Sequence, residues 1–310
     1  TFPDSDYLMT LDADEILVPW NQVPLPNKHI TTLPPLEGDT IFVKTCLGGL
    51  DYYRATLFKA SLPWEWRGVL HEYAYAEGAE SSHSIANICN LPSTDGARSK
   101  NSDKYLDDAK ILEKEVKENP EDSRSWFYLA QSYADAGKPE LAVTPIENAF
   151  KYSTWGEEQF VSLLRKARYK LQSGISFEEV VGDYLAAYEH SPHRAEALFD
   201  IISYYRSKDK FTTASLFLEQ ALVISHPSND ILFVESSIYE WRLQDEASLV
   251  YHYTGHSDVA VAIGKLILDK TSLPSEARKR IENNMKSFKE GAKNQSVSSP
   301  CCGEAKSQVL

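Results

Sequence analysis

From Lys104 to about residue 290 the chain repeats one arrangement of apolar and small residues, and this repetition restricts the possible folds more than any other feature. The run "KYLDDAKILEKEVKENP" sets Tyr105, Leu106, Ala109, Leu112 and Val116 close to the three-or-four spacing of an amphipathic helix. The next run, "SWFYLAQSYADAGKPELAVTPIENAFKYS", places Trp126, Leu129, Ala130, Tyr133, Gly137, Ala142, Ile146 and Ala149 on two helices joined by a turn. Ala130, Ala142 and Ala149 are small enough for antiparallel helices to approach closely. Gly137 lets the chain reverse, and the large residues fill the gap to the next unit.

Those offsets are the offsets of a tetratricopeptide repeat. A second copy, with an insertion, reads "FVSLLRKARYKLQSGISFEEVVGDYLAAYEHSP". In the third, "EALFDIISYYRSKDKFTTASLFLEQALVISHP", Tyr205, Ala214 and Ala221 stand where Tyr133, Ala142 and Ala149 stand in the first. A weaker fourth, "LVYHYTGHSDVAVAIGKLIL", carries Tyr251, Gly255 and Ala260, and Pro120, Pro192 and Pro227 mark repeat ends. A non-repeating helical bundle does not account for the completeness of the first copy.

Residues 1 to about 95 follow a different grammar, mixed α/β or β-rich. "YLMTL", "TIFVKTCL" and "RATLFKA" are short β-prone runs punctuated by Pro, Gly and Asn. "VPWNQVPLPNKHITTLPPLEGD" reads as an irregular surface loop, and the polar stretch "STDGARSKNSD" at 93–103 is a natural boundary. The expected division is therefore 1–95, a linker at 96–103, helical repeats at 104–290 and a disordered tail at 291–310 that contains Cys301 and Cys302.

With 310 residues, 42% of them hydrophobic, the chain can build a large core without disulfides or a structural metal. Its net charge of −13 opposes a nucleic-acid or acidic-membrane surface. Four scattered cysteines without a CxxC favour a reducing, cytoplasmic setting. No apolar run reaches the roughly 18 residues of a membrane span.

Chemistry concentrates in two places. "YLMTLDADEIL", residues 7 to 17, drives a strand expected over Leu8 to Leu11 into Asp12, Asp14 and Glu15. Carboxylates bunched at a strand's carboxyl end suit a hard divalent cation, which takes oxygen ligands. The plain alternative is an acidic turn or helix cap. The second place, "WEWRGVLHEY", gathers Trp64, Glu65, Trp66, Arg67, His71 and Glu72 within ten positions. It has no second histidine for an HExxH zinc site. His71 is then a metal ligand or a structural histidine, and Trp64 and Trp66 either stack on a sugar or pack in the sheet. Arg54 either reaches the site or pairs on the sheet.

Together these stretches, with "RATLFKA", "DGARS", "KYLDDAKILEKE" and "FYLAQSYADAG", resemble bacterial and viral family 2 glycosyltransferases in which tetratricopeptide-like helices follow a GT-A catalytic domain. The resemblance runs in the same order along nearly the whole chain. It implies an α/β fold, the C-terminal half of a GT-A sheet, followed by an all-α repeat domain. It implies Mn²⁺ or Mg²⁺ held by Asp12, Asp14 and His71, with Asp12 also touching the donor ribose and Arg98 steadying the diphosphate. The reaction implied is inverting transfer of a sugar from a nucleotide-sugar to a saccharide, lipid-linked or polypeptide acceptor. A carboxylate base is then required, with Glu72 and Glu65 as candidates and Glu15 behind them.

In that family a base-binding half precedes the acidic motif, and almost nothing precedes Tyr7 here. The expectation is a piece of a longer protein, inactive by itself. The alternative, from another class, is a helical-repeat scaffold that docks a protein partner and carries an inactive transferase remnant. A phosphatase of the haloacid dehalogenase type is disfavoured, because Glu15 and Ile16 follow the second aspartate where that chemistry wants Thr or Val.

Overall fold

The computed structural model describes residues 5–19, 33–92, 103–270 and 273–298. Strands β1 (Tyr7–Met9), β2 (Glu15–Pro19), β3 (Thr40–Leu47), β4 (Leu50–Lys59) and β7 (Ser82–Pro92) form one mixed sheet in the order β1-β4-β3-β7-β2. Strands β5 (Glu65–Arg67) and β6 (Tyr73–Tyr75) make a separate two-stranded ribbon. Only the β3–β7 pairing is parallel among these strands.

The run "TIFVKTCL" forms β3 over its whole length because its alternation suits a sheet with one face in the core. Ile41, Val43 and Thr45 are buried, while the residues between them are partly exposed. Ile41 and Val43 pack with Leu57, Ile85 and Ile88, against which Tyr7, Leu17 and Leu36 lie. Gly48 and Gly49 close the β3–β4 hairpin, both at positive φ, as a two-residue turn between twisted strands requires. Cys46 of β3 and Cys89 of β7 are joined by a disulfide. The expectation of scattered, reduced thiols does not describe this pair, which strand register brings together from 43 residues apart.

Helices begin at Lys104, where the sequence grammar changes. They are α1 (Lys104–Glu118), α2 (Ser123–Asp135), α3 (Pro139–Tyr152), α4 (Gly156–Gln172), α5 (Phe177–His190), α6 (Glu196–Ser207), α7 (Phe211–Leu222), α8 (Leu243–Tyr253), α9 (Ser257–Leu268) and α10 (Ser275–Ser298). The last runs eight residues past residue 290, into the segment expected to be a tail; Cys301 and Cys302 lie outside the described residues.

The chain forms two compact units whose limits fall away from the strand-to-helix change. One comprises residues 1–191 with 227–236, and the other residues 192–226 with 237–310. In the first, α1 packs on α2, α2 on α3, α3 on α4 and α4 on α5. In the second, α6 packs on α7, α7 on α8, α8 on α9 and α9 on α10. Ala130, Ala142, Ala149, Ala214, Ala221 and Ala260 are all fully buried, as close helix approach demands.

The turn inside each helix pair is closed alike. Gly137, Gly174 and Gly255 adopt positive φ, and the amides of Lys138, Ile175 and His256 donate to the carbonyls of Tyr133, Lys170 and Tyr251. In the third copy Asp209 takes the same conformation, with the Lys210 amide donating to the Tyr205 carbonyl.

Candidate functional site

Strand β1 ends at Met9, and the Thr10 amide still donates to the Thr56 carbonyl of β4 at 2.9 Å. The chain then turns through Asp12 and Asp14 and enters β2 at Glu15. The turn is held by the Glu15 amide on the Asp12 carbonyl at 3.0 Å and by the Asp12 amide on Glu15 Oε2 at 3.2 Å.

Arg54 of β4 reaches this turn. Its Nη1 lies 3.3 Å from Asp12 Oδ2 and also donates to Glu15 Oε1. The Glu15 side chain is only 5% exposed, against 65% for Asp12 and 37% for Arg54. A carboxylate buried to that extent needs a cationic or hydrogen-bonding partner, and the guanidinium supplies it. Tyr52, two residues along β4, sits nearby; burial pushes its phenol above the ordinary range, the Arg54 charge opposing this.

His71 lies in the β5–β6 loop at φ 52°. Its ring stacks on Tyr128 of α2 at 3.9 Å, and its carbonyl accepts from Arg124 Nη2 at 2.6 Å. Leu70 packs against the cluster of Ala109, Leu112, Val116 and Leu129, which anchors the loop on α1 and α2. Arg124 also lies over the rings of Tyr73 and Tyr128.

Among the described residues no group of three or more His, Cys, Asp or Glu side chains is arranged to hold a metal ion. Asp12 and Glu15 share Arg54, whereas His71 is stacked on α2, so Asp12, Asp14 and His71 are not assembled as a ligand set. As placed, these side chains do not fit a divalent ion. Glu65 pairs with Arg67 at 2.6 Å on the ribbon, and Glu72 is exposed in the loop beside His71. Trp64 donates its indole N–H to the Lys59 carbonyl, and both Trp64 and Trp66 pack on Phe58. Arg98 lies outside the described residues.

Arg54, one of two readings in the sequence, therefore joins the acidic turn. Sequence reasoning missed Arg124 and Tyr128, because nothing in a helical stripe says which loop it will meet.

No family model and no curated protein matches this chain. Thirty-three chains of solved structures match it. A chain of the APC/C hetero-tetramer Cut9–Hcn1 is 14% identical over 64% of this chain, with a TM-score of 0.42; the match spans 38% of that chain, less than two thirds of its length. A thermophilic TPR protein of Thermus thermophilus is 17% identical over 59% of this chain and 91% of its own, with a TM-score of 0.39. The C-terminal part of a TPR repeat-containing protein from Cytophaga hutchinsonii is 16% identical over 63% and 75%, with a TM-score of 0.45.

Proposed function

We propose that the helical region is a docking module for a protein partner. The observation that carries this reading is the stacking of each helix on its sequence neighbours within both units, with the α2–α3, α4–α5, α6–α7 and α8–α9 hairpins closed by the same left-handed turn. Such stacks present extended side-chain surfaces rather than a closed core. The net charge of −13 favours a basic partner segment, whose association then weakens with salt. No helix among the described residues is long and apolar enough to cross a membrane.

The test is retention of a basic partner by the immobilised chain as salt is raised. Leu216 and Leu266 are 72% and 63% exposed, so changing both to Lys, which removes apolar contact and repels a basic segment, is expected to weaken retention without altering helical content. Unchanged retention counts against docking on these helices.

The second reading is nucleotide-sugar transfer, with Mn²⁺ or Mg²⁺ at Asp12, Asp14 and His71 and with Glu72 or Glu65 as base. It is supported by β1 ending in the Asp12–Asp14 turn, and it requires both that Arg54 release Asp12 and that His71 leave Tyr128. Mn²⁺-dependent cleavage of a nucleotide-sugar, abolished in Asp14→Ala, is the expected result. No cleavage across a donor panel, with Asp14→Ala indistinguishable from wild type, leaves the scaffold reading alone.

A further inference from the structure

The outer edge of β4 is covered by two different segments. β1 pairs with its C-terminal part, Leu57 to Lys59. Its N-terminal part is covered by residues 231–234, which come from between α7 and α8 yet belong to the same compact unit as the sheet. Asp51 and Val234 exchange both backbone hydrogen bonds, at 2.8 and 2.7 Å, and the Tyr53 amide donates to the Ile231 carbonyl at 2.8 Å.

The surroundings are built for an extended peptide. Glu157 Oε2 accepts the amides of both Ile231 and Leu232 at 2.7 Å. The Phe233 ring lies 5.3 Å from Tyr52 and parallel to Phe127 at 6.1 Å, with the Arg165 guanidinium over both phenyl rings at 4.6 and 4.8 Å. Val234 is 3% exposed, Glu235 pairs with Arg168 at 2.6 Å, and the Ser236 hydroxyl donates to Asp51.

We infer that this half of the β4 edge is a strand-accepting site for an extended peptide of a partner protein carrying an aromatic, an aliphatic and an acidic residue in that order, and that residues 231–236 fill it in cis. Backbone pairing supplies affinity of the kind seen in strand addition, and the aromatic slot with Arg168 supplies selectivity. Phe233 is held at φ 47°, a conformation that β-prone residues rarely adopt, so the internal strap is not an unstrained continuation of a sheet. Tethering gives the strap a high effective concentration, and a free peptide then competes only when the strap is weakened. The inference is distinct from both functional readings above, since it uses the β4 edge and the residues of α2 and α4 that line it, and neither Leu216 and Leu266 nor the acidic turn.

The experiment opens the strap and leaves the slot intact, using Phe233→Gly, which removes the ring and relaxes the backbone, and Val234→Asp. Amide hydrogen exchange is read at Asp51 and Tyr53, together with anisotropy of a labelled peptide of sequence NDILFVES. In the wild type both amides are expected to exchange slowly and the peptide to stay free. In either variant the two amides speed up and the peptide binds at least roughly tenfold more tightly than to the wild type. Adding Arg165→Ala, or replacing the peptide's Phe by Ala, removes that gain. Slow exchange at Asp51 and Tyr53 in both variants overturns the inference, and so does fast exchange without peptide capture. Collapse of the sheet unit in both variants, seen as lost near-ultraviolet circular dichroism, makes the strap a fixed core strand and overturns it too.

Discussion

At the scale of single residues, Arg54 decides the character of the acidic turn. Replacing it by Leu leaves Glu15 buried beside Asp12 with no counter-charge. Because the guanidinium is partly open to solvent, the expected loss is about 2 kcal/mol, below the cost of breaking a fully buried pair. Adding Glu15→Gln is expected to recover most of it, and a denaturant double-mutant cycle measures the coupling. Asp39 offers a pH test. The Ser81 hydroxyl at 2.7 Å, then the amides of Glu80 and Ser81, hold its carboxyl down from 3.8 to about 2. A depressed carboxylate contributes stability above its unfolded value and loses it as pH falls from about 4 towards 2. Asp39→Asn is expected to flatten the melting temperature over that window, and an unchanged slope refutes the assignment.

At the scale of elements, the helix pairs share a punctuation that one copy spells differently. Asp209 takes the left-handed conformation that Gly137, Gly174 and Gly255 take in the other copies. A Cβ in that conformation costs about 1 kcal/mol. Asp209→Gly is therefore expected to raise unfolding stability by up to about that amount, and Gly137→Ala to lower it similarly. Strand β3 and the first repeat were readable because each has a face whose period survives in the sequence. Strand β7 was not read. It pairs with β3 in parallel and with β2 antiparallel, and the β3 pairing slips between Val43 and Lys44, so no simple alternation marks it. Only three residues long apiece, β5 and β6 are too short to show a period.

At the scale of the whole molecule, the sheet-bearing unit crosses the grammatical boundary: it takes in α1–α5 as well as the strands, and residues 227–236 rejoin it from between α7 and α8, with Ile231 and Val234 bonded to β4. Each unit has its own core, one around Ile41, Val43 and Leu57 and another around Ile267, Ile281 and Phe288. Calorimetry is therefore expected to give more than one transition, with a van't Hoff enthalpy below the calorimetric one. Reducing Cys46–Cys89 is expected to lower only the transition of the sheet-bearing unit, by a typical disulfide contribution of about 2–4 kcal/mol. A single two-state transition, shifted as a whole by reductant, contradicts this. The sequence by itself determined what is local and periodic: the order of strands then helices, the repeat spacing and the acidic turn after the first strand. Only the tertiary structure decided that Arg54 pairs with Asp12 and Glu15 of that turn, that Cys46 meets Cys89, that His71 belongs to Tyr128 and that residues 231–234 complete the sheet. Those four outcomes depend on register and on contacts across long stretches of chain, and neither composition nor periodicity carries that information.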